Sequence, residues 1–203
     1  NQKMLLREKF GFPDKVVVSL VTSDNFKKRG LDIFIEAIKQ IPKEIRDTAD
    51  FRVIGKDKPP VEYKDYVTFD ETREDIQDYF NAIDVFVLPA RIEEFGRVVS
   101  EAMSTGLPVI TTNKVGASEL LEGEAREYII PPKSKEALSE AIIRLVSSGE
   151  LRSKIGDLNL RASLKITKNN IFKRFEAIFL KICLIPQFFC DCCFELLPFA
   201  TCG

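Results

Sequence analysis

Glu93 and Glu101 stand at the two ends of the run Glu93-Glu94-Phe95-Gly96-Arg97-Val98-Val99-Ser100-Glu101. A carboxylate only accepts hydrogen bonds, and it can take two hydroxyl donors at once. Far upstream, Thr22-Ser23-Asp24-Asn25-Phe26-Lys27-Lys28-Arg29-Gly30-Leu31 brings three cations together. Arginine can hold phosphate oxygens bidentately, and lysine acts as a point charge. One cluster therefore suits hydroxyls and the other suits a phosphate. Taken alone, either one is also an ordinary solvated surface, so their setting decides.

The apolar run Asp84-Val85-Phe86-Val87-Leu88-Pro89 reads as a buried strand. Residues Gly96 to Thr105 read as a helix, closed by Gly106 as a C′ residue. Glu93 then lies in the loop at the carboxyl end of a strand. Glu101 lies in the second turn of the helix, about 8 Å further along at 1.5 Å per residue. Binding crevices of open α/β sheets lie at such strand ends. The helix start at Gly96 offers free N–H groups and a favourable dipole to a phosphate. The basic loop follows another apolar strand, Lys15 to Val21, so its three cations are expected to face the same crevice as Glu93.

Further strands are expected at Phe51–Gly55, Tyr66–Phe69, Pro108–Thr111 and Glu127–Ile130. Helices are expected over Gly30–Ile41, with Pro42 as the stop, and over Arg73–Ala82. A short helix follows at Ala117–Leu121. Longer ones follow at Lys135–Ser147, Leu151–Leu164 and Asn169–Ile182, and the chain opens in a helix around Met4–Phe10. Strands alternating with helices imply an α/β fold: a Rossmann-like parallel sheet with helices on both faces.

The 203 residues suffice for one such domain with a full core. The 30 basic and 31 acidic residues nearly cancel, which is not the basic excess of a nucleic-acid binder. The chain has no histidine, which removes histidine-based acid/base and metal chemistry. All five cysteines fall between Cys183 and Cys202, an odd number too uneven for a disulfide framework. Cys190-Asp191-Cys192-Cys193 lacks the paired spacing of a zinc module. There is no apolar run long enough to span a bilayer and no leader sequence, so a cytoplasmic location is expected.

The passage from Glu93 onward resembles the paired-glutamate motif of retaining glycosyltransferases of the GT-B fold, family 4 type. That motif reads Glu, any residue, Phe-Gly, four residues, Glu, then Ala-Met with Gly-x-Pro-Val soon after. Here it is followed by Ala102-Met103 and Gly106-Leu107-Pro108-Val109. The resemblance spans about Val16 to Ile178 and implies the carboxyl-terminal, donor-binding half of such an enzyme. It implies that Glu93 holds the donor sugar and Glu101 the ribose of a nucleoside diphosphate sugar. Phe95, Gly96 and Arg97 would line the donor, and Phe95 would act as a core wedge under the helix. Gly116 would lie near the sugar, and Asp70-Glu71-Thr72 in a loop near the base. In the family an arginine and then a lysine before Gly-Leu hold the diphosphate. Here Ser23 and Arg29 stand at those positions, which leaves open which of Lys27, Lys28 and Arg29 touches phosphate. Glu93, Lys28 and Arg29 would be the catalytic groups. No Asp-x-Asp motif is present, so neither a metal nor another cofactor is expected.

By the same resemblance, residues 1–182 would form the donor domain. The tail, 183–203, fits no family pattern, and an acceptor domain joined before Asn1 is expected to be missing. The acceptor would be a glycan or lipid-linked hydroxyl, with peripheral membrane association of the full enzyme. A nucleotide-sugar epimerase and a non-catalytic nucleotide-binding module are the alternatives. A glycosidase fits poorly, because its two carboxylates must flank the scissile bond.

Overall fold

In the computed structural model, residues 2–165 are described, apart from 23, 24, 57, 73 and 74. The expected Asn169–Ile182 helix and the cysteine-bearing tail lie outside them. Chain contacts group Asn1–Ser163 as one unit, which carries the whole sheet.

Six strands form one sheet in the order β3-β2-β1-β4-β5-β6. They are β1 (Val16–Val21), β2 (Ala49–Gly55), β3 (Thr68–Glu71), β4 (Val85–Leu88), β5 (Val109–Thr112) and β6 (Ile129–Ile130), and every pairing is parallel. All four residues of β4 and of β5 are buried. Unbroken apolar strands of this kind need cover on both faces.

The register shows how that cover is arranged. Val18 pairs with Phe51, and Ser19 pairs with Arg52 and Phe86, so these two sets point to opposite faces. Phe51 packs on Phe34 of α3 (Leu31–Gln40), ring centroids 6.1 Å apart. Phe86 packs on Phe80 of α5 (Ile76–Ala82) at 5.5 Å. Each of these fully or nearly buried rings contributes about 1.5–3 kcal/mol. Helices thus line both faces, as the apolar strand runs predict. Among the described residues, no helix is long and apolar enough to cross a membrane.

Two short helices were not visible as apolar patterns: α2 (Phe26–Arg29) and α4 (Lys43–Arg46). Pro42, expected as a stop, is the N-cap of α4. The Ala117–Leu121 helix is a 3₁₀ turn over Gly116–Leu120, and another 3₁₀ turn (Gly123–Tyr128) takes up the first half of the expected last strand. Helices α7 (Lys135–Ser147) and α8 (Gly149–Leu164) close the unit.

The third strand requires a correction. It begins two residues later than Tyr66, because Tyr66 and Val67 turn back to the Tyr63 carbonyl. Asp70 and Glu71 therefore belong to β3 and not to a following loop. Asp70 accepts from Arg52 at 2.8 Å and from Tyr79 at 3.2 Å, and Tyr79 also bonds Ser19 at 2.8 Å. This buried network ties the sheet to α5. It engages the Asp70 side chain that was expected near the base.

Helix α1 (Gln2–Lys9) is held to the unit by charge. Asp84 accepts from Lys3 at 2.7 Å, from Arg7 at 2.8 Å and from the Val17 amide at 2.8 Å. Burial pushes the Asp84 carboxyl up, but Lys3, the Val17 amide and Arg7 together hold it below its ordinary value of 3.8. The stability from a depressed carboxyl is present above that value and is lost as pH falls through the folded one. Asp84→Ala takes the shared carboxylate from Lys3 and Arg7 and leaves them only backbone carbonyls, and it should cost about 3 kcal/mol at neutral pH by denaturant unfolding. That difference from wild type should shrink as pH falls below about 4. A constant difference down to low pH would show that the carboxylate charge is not what holds α1.

Candidate functional site

The strand order turns around between β1 and β4, the topological switch point at which open α/β sheets form their crevice. The loop after β1 runs into α2, which ends in Lys27, Lys28 and Arg29. The loop after β4 carries Glu93 and runs into α6 (Arg97–Ser104). The two clusters seen in the sequence therefore meet at the switch point.

They meet through one pair. Arg29 Nη1 lies 2.9 Å from Glu93 Oε2, with the two side chains only 19% and 16% exposed. Both atoms are buried, yet the donor direction is not aligned and neither forms a hydrogen bond. A charge contact without an aligned hydrogen bond leaves both groups with unspent bonding capacity. Buried groups in that condition concentrate where function needs them.

The other two cations behave differently. Lys27 and Lys28 are exposed. Lys27 lines a separate cleft with Phe26, Leu31, Asp32, Pro60 and Tyr63, away from Glu93. The expectation that all three cations face one crevice therefore holds in the structure for Arg29 but not for Lys27. A one-turn helix spreads consecutive side chains around its axis, which forces them apart.

The Glu93 loop is fixed by its backbone. The Glu93 amide donates to the Lys114 carbonyl at 2.9 Å, and the Gly116 amide donates to the Glu93 carbonyl at 3.1 Å. The Ala117 amide donates to Phe95 at 2.6 Å. These bonds form a short parallel bridge between Glu93 and Val115. Gly116 is required for it, because a Cβ there would stand 2.2 Å from the Glu94 carbonyl oxygen.

Phe95 is not the core wedge its type suggests. It is 47% exposed. Gly96 is the N-cap of α6 in the left-handed region (φ 80°) and gives no side-chain cap. Polar N–H groups at the start of α6 are therefore left to other partners. Val99, Ala102 and Met103 bury the inner face of α6. Glu101 lies on the outer side at 35% exposure, 3.5 Å from Arg97, which is 85% exposed. An exposed pair this long is worth about 0–1 kcal/mol, so Glu101 is easily given to a ligand.

Beside Glu93 lies a cavity of about 490 Å³. Glu93, Asn113, Lys114, Gly116, Glu119 and Arg126 are among its lining residues. Only Glu93 and Gly116 were singled out from the sequence. Lys114, Glu119 and Arg126 are single charged residues without a local pattern, and nothing short of the fold would have found them. A second group missed was Arg91 with Asp32, joined by hydrogen bonds of 2.8 and 2.6 Å. Among the described residues, no three His, Cys, Asp or Glu side chains form a cluster suited to a metal ion.

Comparison with known proteins gives this geometry its family. Residues 15–148 match the family described as Glycosyl transferases group 1. The chain belongs to that family. It is 29% identical over 161 residues to lipopolysaccharide glucosyltransferase WaaG of Escherichia coli, covering 75% of this chain and 43% of the relative. It is 27% identical over 163 residues to alpha-D-kanosaminyltransferase of Streptomyces kanamyceticus, covering 75% of this chain and 42% of that one. The chain thus spans less than half the length of these curated relatives.

Among solved structures, the crystal structure of WaaG aligns with a TM-score of 0.72 and 26% identity over 83% of this chain and 48% of that one. The carboxyl-terminal domain of a group 1 glycosyltransferase, LpcC of Francisella tularensis, aligns with a TM-score of 0.69. At 22% identity over 82% of this chain and 92% of that domain, this second likeness bears on the fold alone. The fold is that of GT-B glycosyltransferases, as the paired-glutamate motif implied.

The Gly116 bridge yields a direct test. Gly116→Ala should force the Glu94 carbonyl away and cost about 2 kcal/mol, as overpacking does. The loss should read out as a lowered melting temperature with displaced amide signals at residues 93–96 and 114–117. An unshifted melting temperature would show that the bridge does not fix the Glu93 loop.

Proposed function

We propose that this chain is the donor-binding half of a retaining glycosyltransferase. It would hold a nucleoside diphosphate sugar while a hydroxyl of a glycan or lipid-linked acceptor attacks. The observation that carries this reading is the Arg29–Glu93 contact at 2.9 Å across the switch point. A cation suited to phosphate thus stands beside a carboxylate suited to hydroxyls, and a sugar diphosphate offers both kinds of group. The solved structure of HepE from Anabaena, a neighbour in fold, contains UDP and glucose. It shares 23% identity with this chain, so it supports the ligand class only by analogy of fold.

In this reading Glu93 accepts hydroxyls of the donor sugar and Glu101 accepts those of the ribose. Arg29 and Lys28 face the diphosphate, helped by the first turn of α6. The bond between the sugar's anomeric carbon and the diphosphate oxygen breaks, and negative charge gathers on the leaving diphosphate. Fixed cations and helix N–H groups stabilise that charge where it develops. The acceptor oxygen enters on the face the diphosphate leaves, and its proton passes to a donor phosphate oxygen. Arg29 is also freed from Glu93 in the process, so each group exchanges its present partner for a ligand. No divalent ion is needed for this sequence of events.

The reading separates the two glutamates. Glu101→Gln should weaken a nucleoside diphosphate and its sugar conjugate alike, because both carry ribose. Glu93→Gln should weaken only the conjugate. A charge-assisted hydrogen bond is worth about 1.5–3 kcal/mol, on the order of ten- to a hundredfold in affinity. Calorimetry with a matched donor and diphosphate measures both. Equal losses on changing Glu93 would refute the assignment of roles, and no loss from either change would refute the site.

A further inference from the structure

We infer that Arg91 is a positioning residue of the donor site: it grips the backbone of α2 and thereby sets where Arg29 stands. The inference rests on the donor-site reading above and adds a residue to it. Arg91 lies two residues before Glu93 on the loop after β4. Its side chain donates from Nη1 to the Lys27 carbonyl. Nη1 also reaches Asp32 Oδ1 at 2.8 Å, and Nη2 reaches Asp32 Oδ2 at 2.6 Å. Its own amide donates to the Lys28 carbonyl at 2.9 Å. One residue thus binds the two carbonyls that precede Arg29 and the first turn of α3 that follows it.

The need for such a grip follows from the size of α2. It has four residues, and helix formation requires a costly nucleus that so short a segment cannot repay in water. Its amino end is capped by Asn25, whose side chain accepts from the Lys28 amide at 2.8 Å. At its carboxyl end, the last carbonyls need donors. The Gly30 amide serves Phe26 and Lys27, and from across the crevice Arg91 adds a second donor to Lys27 and one to Lys28. A planar guanidinium can serve a carbonyl and both oxygens of a carboxylate together, and a lysine ammonium has no such fork.

The result is a reciprocal arrangement. Arg29 reaches from α2 to Glu93 on the loop, and Arg91 reaches from the loop back to α2 and Asp32. Asp32 is partly buried, which pushes its carboxyl up. The Arg91 hydrogen bonds and charge outweigh this and hold it below 3.8. Arg91 is 20% exposed. Its fork is taken up by the protein, so it acts through Arg29 and not on a ligand.

The test is a double-mutant cycle on the full chain, with UDP, GDP and ADP as probes in calorimetry. Arg91→Ala should weaken the diphosphate that binds by about tenfold, the scale expected when a contact group is misplaced. In an Arg29→Ala background, the same change should cost clearly less, because only its effect through Lys28 remains. Asp32→Asn should repeat the pattern more weakly. Equal losses in both backgrounds, or no loss in either, would overturn the inference. A merely structural role would lower the melting temperature and weaken binding additively.

A second readout needs no ligand and uses Arg91→Lys, which keeps the charge if Arg91→Ala fails to fold. The guanidinium N–H signal of Arg29 in nitrogen-15 spectra should be sharp and slowly exchanging in wild type, and averaged in Arg91→Lys. An unchanged Arg29 signal would overturn the positioning role. If wild type binds none of the three diphosphates, the donor-site reading fails, and the Arg29 signal still decides whether Arg91 holds α2.

Discussion

The site depends on charge exchanged across the gap between β1 and β4. At that point the sheet reverses its order, and neighbouring strands send their connections to opposite sides. Among the described residues, one backbone hydrogen bond, from the Arg91 amide to the Lys28 carbonyl, crosses between the two segments that follow. What else joins them is a set of contacts made by arginines: Arg29 to Glu93 one way, Arg91 to Asp32 and the α2 backbone the other. The apolar core fixes the strands. It cannot fix the short segments above them, which bury little. Partly buried ion pairs with fixed geometry do that work, because they are screened less than surface pairs.

The two pairs differ in a way that suits their places. Arg91 and Asp32 are bonded bidentately. Arg29 and Glu93 touch without an aligned hydrogen bond, and both contacting atoms are cut off from solvent. The first pair is suited to staying made. The second is suited to being exchanged, since neither contacting atom has a hydrogen bond to lose. Around it, the bridge through Gly116 holds the Glu93 backbone, so the exchange costs side-chain movement only.

How much of this the sequence disclosed follows from where each residue's free energy comes from. The β4 and β5 runs were legible because every position is buried, and apolar type reports burial directly. The paired glutamates were legible because their spacing is local and framed by Phe-Gly. Strand β3 slipped by two residues because it is an edge strand with no fully buried residue, so no apolar alternation marks it. Helix α2 has no periodicity to show in four residues. Phe95 misled because apolar type alone does not guarantee burial: its ring is left 47% exposed. The Arg91–Asp32 pair joins residues 59 apart, and nothing local in either segment announces the other.

A competing location for an anionic ligand exists at the opposite end of the sheet. There a groove of about 550 Å³ is lined by Lys15, Lys43, Arg46 and Lys64 together with Asp47, Asp50 and Asp65. Its cations are interleaved with acids, and Lys43 already pairs with Asp47. It lies at the amino ends of the strands, where open α/β sheets do not form their crevices. The most direct measurement is a nitrogen-15 amide titration of the chain with nucleoside diphosphate sugars. The account predicts shifts gathered at residues 27–30, 93–101 and 114–117. Shifts gathered instead at residues 43–50 and 64–68 would contradict it.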